Sequence, residues 1–314
     1  MKLMIQIPCF NEEATLGKVL AGIPDRIDGV DEIEIQVVDD GSTDGTVKVA
    51  QKFGVHHILR IGSNKGLGNA FKVGVENALA QGADILVNTD GDNQYPGENI
   101  PDLIRPILKH RAGIVLGNRQ TSKIKHFSRI KRILQSIGSG LIRRLAGVDA
   151  PDAVTGFRAY SRNSLLNLNI TSDFSYTIDT LIQAGKKQIK VVSVDIEVNP
   201  PERPSRLFGS LVEFIYKSLG VLINVYVAYE PQTTFFWIGS FFLAVGLYPM
   251  IRFVYFYVLG DGSGHIQSLI AGSIFIIVGF IMYGLAVNGI LFSRQRKLAE
   301  DIINRLKKIQ YEDD

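Results

Sequence analysis

Two long apolar runs, residues 233–259 and 266–292, restrict what this chain can become. Each exceeds the roughly 20 apolar residues that a helix needs to cross a bilayer, and a soluble core hairpin of that length is a poor alternative. The linker 260–265 has no Lys or Arg, whereas Ser293-Arg294-Gln295-Arg296-Lys297 follows the second run at once. The positive-inside rule therefore predicts a transmembrane hairpin over 233–292 with both flanks in the cytoplasm. Arg252 lies toward one end of the first run, where its head can snorkel to the interface. Hydrophobic residues make up 46% of the 314, and these two runs account for the excess.

Residues 1–206 are an ordinary soluble mixture. Leu3 to Ile7 predicts a strand that runs into Pro8-Cys9-Phe10-Asn11-Glu12-Glu13, after which Leu16, Val19, Leu20 and Ile23 recur at helical spacing. Asn11 is the expected N-cap, with Glu12 and Glu13 in the acidic first turn. The plan repeats: strand 33–38, turn 39–45, helix 46–53; strand 57–61, turn 62–68, helix 69–80; then strand 84–88. Such repetition means an α/β fold with a mostly parallel sheet and helices on both faces. Ile100, Leu103, Ile104 and Ile107 mark a further helix, residues 114–116 a strand, and 175–184 a helix, while Val192, Val194, Ile196 and Val198 alternate as a half-buried strand. From 128 to 145, apolar residues at helical spacing share a segment with Arg129, Lys131, Arg132, Arg143 and Arg144. As a group these cations suit anionic head groups or a phosphate. Residues 200–206, rich in proline and arginine, close the soluble part, and 207–232 is apolar but broken by Glu213, Lys217 and Gly220, as interfacial amphipathic helices are. Residues 293–314 predict a cytoplasmic amphipathic helix lying along the membrane or against the first domain.

Several classes of function drop out. The net charge of +3 and the lack of a basic tail give no footprint for nucleic acid. The single cysteine, Cys9, excludes an intramolecular disulfide and a cysteine-rich metal site, in keeping with a reducing compartment. The five histidines show no zinc-type spacing. Residues 1–8 lack the apolar core of a signal peptide, so the first domain is expected in the cytoplasm. The glycine fingerprint of a dinucleotide site belongs in the first strand-to-helix turn, where this chain has no glycine.

The chemistry is best placed in Asp90-Gly91-Asp92-Asn93-Gln94-Tyr95-Pro96, which follows the strand Ile85-Leu86-Val87 and sets two carboxylates at its carboxyl end. In open parallel sheets ligands collect at that edge. Four blocks resemble one family in order and spacing: Pro8 to Glu13, Val38 to Thr46, Asp90 to Pro96, and Thr155-Gly156-Phe157-Arg158. The chain is similar to the family 2 glycosyltransferases of GT-A, Rossmann-like fold, and within them to the polyprenol-phosphate glycosyltransferase branch. That resemblance implies an inverting hexosyltransferase, with glucose or another hexose moved from a nucleotide sugar to polyprenyl phosphate at the cytoplasmic leaflet of the plasma membrane. UDP is the favoured carrier and GDP the other.

By the same resemblance Pro8, Phe10, Glu12, Asp39 and Asp90 bind the nucleotide sugar, with Phe10 standing where the family often has tyrosine. Asp90, Asp92 and Gln94 hold Mg²⁺ or Mn²⁺. Arg119, Arg132, Ser136, Arg158 and Arg206 contact the acceptor or diphosphate, with a structural partner for Asp152 as the equal alternative for Arg158, and Asp152, Asp92 and Arg132 are the catalytic group, Asp152 as a base or as a positioning residue. The partners implied are the nucleotide sugar, the polyprenyl phosphate and the membrane; self-association and a downstream flippase are further partners that the architecture allows. The competing readings are a processive polysaccharide synthase, whose Gln-x-x-Arg-Trp block is missing since the only tryptophan is Trp237, and a non-catalytic GT-A membrane scaffold.

Overall fold

The computed structural model describes residues 1–120, 140, 142–144, 146–170, 176–200, 220, 223, 227, 229–260 and 262–312. The chain divides into two compact units, one made of Met1–Ser218 with Ile303–Asp314 and the other of Leu219–Ile302. The first holds seven strands: β1 (Lys2–Cys9), β2 (Glu32–Asp39), β3 (His57–Arg60), β4 (Ile85–Asn88), β5 (Ile114–Asn118), β6 (Arg158–Ser161) and β7 (Val191–Asp195). They lie in the order β3-β2-β1-β4-β6-β5-β7. All neighbours are parallel except β6, which runs antiparallel to both β4 and β5. Strand order reverses between β1 and β4, the switch point at which open α/β sheets bind ligands. Because β6 is reversed, the loop that leads into it lies at the same edge as the loop that leaves β4.

The helices are α1 (Leu16–Ala21), α2 (Thr46–Lys52), α3 (Leu67–Ala80), α4 (Ile100–Leu108), α5 (Arg162–Asn167) and α6 (Tyr176–Lys186). Side chains alternate across β1. Leu3 and Ile5 join the Ile100, Leu103, Ile104 and Ile107 stripe of α4 in one core, and Ile7 and Cys9 meet Leu16, Val19 and Leu20 of α1. On the other face Gln6 reaches the backbone of α3 at Phe71, whose ring stacks on Tyr176 of α6 with centroids 4.0 Å apart. His56 and His57 sit beside the edge strand: the Ile35 N–H donates to His56 Nδ1 at 3.2 Å, and His57 pairs with Glu34 at 2.9 Å.

One local expectation fails. Asn11 is not an N-cap: α1 starts at Leu16 after Thr15, with no acidic residue in its first turn. Asn11 instead has φ 56°, and its Oδ1 accepts from Thr43 N at 2.8 Å. Asparagine tolerates the left-handed region, so the side chain that suits a cap here ties two loops together.

The second unit contains α7 (Pro231–Val258) and most of α8, which runs without a break over Ile266–Glu312. Both are long and apolar enough to cross a membrane, and large side chains such as Trp237, Phe241, Tyr248 and Phe280 are exposed on them. They meet through glycines: a Cβ on Gly239 would lie 2.9 Å from Gly279 O, and one on Gly246 would lie 2.9 Å from Gly272 O. Such small residues let helix backbones approach closely where apolar burial gives little drive. Ser240 and Tyr283 add a hydroxyl pair at 3.0 Å. The expected interfacial helices over 207–232 lie mostly outside the described residues. At the far end of α8, residues 303–312 belong with the first unit. Asn169 Nδ2 donates to Asn304 Oδ1 at 2.8 Å, Lys307 Nζ donates to Leu168 O at 2.6 Å, and the Arg162 guanidinium donates to Tyr311 O.

Candidate active site

Three loops interlock at the carboxyl edge of β1, β2 and β4. Backbone N–H groups of the first loop donate into the second, Asn11 to Ser42 Oγ at 2.9 Å and Glu12 to Thr46 Oγ1 at 2.8 Å, while Gly45 N donates back to Glu13 Oε2 at 2.9 Å. Asp44 closes the start of α2 by accepting from Thr46 N at 2.9 Å. Burial works against its charge, but these bonds outweigh that and hold its carboxyl below the usual range. Asp39, at the end of β2, accepts from Ser42 N at 3.0 Å and has Arg60 at 3.8 Å. Its neighbour Asp40 takes Lys65 N at 2.9 Å and Gly66 N at 2.8 Å, which fixes the turn into α3. Within these loops Phe10 is exposed, whereas Glu12 and Asp39 are buried.

The loop after β4 is braced from both sides. Thr15 Oγ1 reaches Gly91 O at 2.7 Å and Glu12 Oε2 at 3.0 Å. Asn93 has φ 61°, and the carbonyls of Asn93 and Gln94 accept from Asn199 Nδ2 and N, both at 2.9 Å. Within this brace Asp90, Asp92 and Gln94 share one turn, with Gln94 N donating to Asp92 Oδ1 at 3.1 Å. Burial and the like charge of Asp92 push the Asp90 carboxyl up to about 7, against the pull of Arg119. Crowded carboxylates of this kind are the electrostatic condition that a divalent cation relieves. Among the described residues no three His, Cys, Asp or Glu side chains form a protein-only cage. Two carboxylates and an amide nevertheless fit a hard ion that takes its other oxygens from substrate phosphates.

At the same edge lies the loop into β6. Arg119, at the end of β5, grips Asp152 through Nε and Nη2, and Arg119 is nearly buried with a side-chain exposure of 13%. Burial works against the guanidinium charge, but Tyr95 first, and then Asp152 and Asp90, raise its pKa above the ordinary value. Arg158 takes no part in the pairing. It is fully buried, and its guanidinium donates to the carbonyls of Thr155, Ala153 and Thr177 and to Thr180 Oγ1. The expectation that Arg158 touches acceptor or diphosphate is therefore corrected: its charge is spent on organising the loop that carries Thr155 and Gly156. Pro8 is buried in β1. Arg132, Ser136 and Arg206 lie outside the described residues.

A family model described as Glycosyl transferase family 2 matches residues 4–168, the whole span from β1 through α5 that builds this edge. The chain belongs to that family. Among its relatives, the undecaprenyl-phosphate mannosyltransferase of Micrococcus luteus is 27% identical over 224 residues, covering 68% of this chain and 90% of its own. The dolichyl-phosphate hexose transferase of Haloferax volcanii is 30% identical over 194 residues, covering 62% and 81%. A solved structure, glucosyl-3-phosphoglycerate synthase of Mycobacterium tuberculosis with Mg²⁺ and UDP, superposes with a TM-score of 0.54 at 22% identity over 70% of this chain and 79% of that one. This likeness establishes the shared GT-A fold.

Thr15, Asn88 and Asn199 do not stand out in the family motifs, yet each bonds a residue of the site or of its supporting loops. Asn88 carries a readable signal, a polar residue closing an otherwise apolar central strand. Asn199 carries none, because its contact with the loop after β4 comes from 105 or more residues away.

Proposed function

We propose that this family 2 enzyme transfers a hexose from a nucleotide sugar, with UDP the favoured carrier, to a polyprenyl phosphate at the cytoplasmic leaflet. The observation that carries the reading is the pairing of Asp90 and Asp92 at the β1/β4 switch point in a chain that also has two apolar helices of membrane-crossing length. Relatives named for undecaprenyl and dolichyl phosphate support the acceptor, and fold neighbours crystallised with UDP and Mg²⁺ or Mn²⁺ support the donor.

In this reading Phe10, Glu12 and Asp39 seat the nucleoside, and Asp90 and Asp92, with Gln94 beside them, hold the diphosphate through Mg²⁺ or Mn²⁺. When bound, such an ion neutralises charge that develops on the leaving diphosphate. A lipid phosphate oxygen attacks the anomeric carbon from the side opposite the diphosphate. The new carbon–oxygen bond forms as the old one breaks, the configuration inverts, and the nucleoside diphosphate departs with the bonding electrons. No base is required, because a phosphate monoester is already an anion near neutral pH. Asp152, engaged by Arg119 through both oxygens, is a positioning carboxylate. It fixes the guanidinium beside Asp90, where it attracts the anionic groups of donor and acceptor.

The test is transfer of label. Purified protein is incubated with radiolabelled UDP- and GDP-hexoses, Mn²⁺ and polyprenyl phosphate, and label is expected in the organic phase, lost on Asp92→Ala. Label in an insoluble polymer would favour a synthase, and no transfer from any donor would favour a scaffold.

A further inference from the structure

Below the site, one polar side chain from each of four elements forms a continuous chain. In register across the sheet stand Gln36 of β2, Gln6 of β1 and Asn88 of β4, and Asn77 of α3 lies at the outer end. Asn77 Nδ2 donates to Gln36 Oε1 at 2.8 Å, Gln36 Nε2 to Gln6 Oε1 at 2.8 Å, Gln6 Nε2 to Asn88 Oδ1 at 3.1 Å, and Asn88 Nδ2 to Gly156 O at 2.9 Å. Every amide points the same way. The sense is set by groups that only accept: Gln36 Nε2 also donates to Gly74 O at 2.7 Å, and the Gly156 carbonyl ends the chain. Turning one amide round would set nitrogen against nitrogen or oxygen against oxygen, so the members hold one another in place. Gly74 makes room for the row, since a Cβ there would lie 2.2 Å from Gln6 Oε1.

The inner end of the row meets the site. Gly156 packs so tightly on Asp90 that a Cβ on it would be 2.9 Å from Oδ1 and 3.1 Å from Oδ2. Gln6, Gln36 and Asn88 are all fully buried, where apolar side chains would fill the space with no pairing to maintain. We propose that this amide row is a positioning device: it fixes the Gly156 backbone and, through that contact, the place of the Asp90 carboxylate. Gln6, Gln36 and Asn88 then act on ligand binding without touching ligand, as outer-shell partners do at metal sites. This rests on the reading of Asp90 and Asp92 as the metal and diphosphate site.

The experiment uses the full chain in detergent, with Mn²⁺ titrated in the presence of UDP and, separately, of GDP, and bound metal followed by electron paramagnetic resonance well below the unfolding temperature. Asn88→Leu removes the donor to Gly156 while keeping the number of heavy atoms and the branching at Cγ. Gln36→Met cuts the row two side chains farther away and carries the test if the first variant does not fold. Each is expected to raise the Kd for Mn²⁺ about tenfold, with circular dichroism melting as the check on folding. Binding abolished by Asp92→Asn but unchanged in folded row variants would overturn the inference alone. A wild-type chain that binds no Mn²⁺, or whose binding survives Asp92→Asn, would overturn the site reading and this inference with it.

Discussion

Arg119 holds Asp152 by both carboxylate oxygens, with Nε 2.6 Å from Oδ2 and Nη2 2.9 Å from Oδ1. A carboxylate so engaged is a good anchor. Asp152→Ala strands a nearly buried guanidinium and is expected to destabilise the first unit by about 3 to 5 kcal/mol, read by chemical denaturation. Arg119→Lys keeps the charge but loses the two-pronged grip, and kcat/KM for the lipid phosphate should fall about tenfold. Rates of Asp152→Asn measured across pH discriminate the two roles: a positioning role leaves the shape of the profile intact, whereas loss of its acidic limb would restore the base.

The glycine contacts of the hairpin give a matched pair of substitutions on one helix. A side chain at Gly272 of α8 would strike Gly246 O at 3.0 Å, while one at Gly284 meets nothing within 4 Å. Gly272→Ile is expected to cost about 1 to 3 kcal/mol, the usual penalty of overpacking, seen as a lower unfolding midpoint in detergent. Gly284→Ile should leave the midpoint where it is. Equal effects at both positions would mean that α7 and α8 do not pack this way.

Lys307 gives a pH dependence. Burial pulls its ammonium down to about 8; Glu76 opposes this, and Lys187 and Lys72 add to it. Between pH 8 and the ordinary lysine range the unfolded chain therefore binds more protons than the folded one, and the Lys307 contribution to stability rises with pH. Below pH 8 the ammonium is charged in both states and the burial cost is present in full. The measurement is denaturation at pH 7.5 and 9.5. Wild type should gain relative to Lys307→Met over that interval, and a difference that does not change with pH would remove Lys307 from its buried position.

Much of this architecture is legible in the amino-acid pattern, for reasons that also explain the misses. Apolar strands followed by polar turns carry local signals, so β1, β2 and β4 and the loops bearing Asp39, Asp90 and Asp92 fall where periodicity puts them. Asn11 misleads because its backbone lies in the left-handed region and its amide serves a neighbouring loop. Arg158 misleads because a lone arginine beside a ligand motif reads as a ligand contact until four buried acceptors are seen around it. The amide row is visible only in part: Gln6, Gln36 and Asn88 each look anomalous in an apolar strand, but nothing local says that they share a register. Equally, no pattern within 293–314 reports that Asn304 and Lys307 find partners at Asn169 and Leu168.

Cys9 offers a practical return. It is the chain's single thiol, 2% exposed, and burial together with nearby carboxylates keeps it protonated. Maleimides and thiosulfonates react with thiolates, so the native protein presents them with almost no target. A cysteine introduced at exposed Ser263, in the turn between α7 and α8, would be the one reporter in the molecule. With an impermeant maleimide added outside intact cells, Ser263→Cys is expected to label and the parent chain to stay dark; protection of Ser263→Cys would reverse the proposed orientation. The molecule thus arrives ready for site-by-site chemical mapping, with no cysteine to remove first.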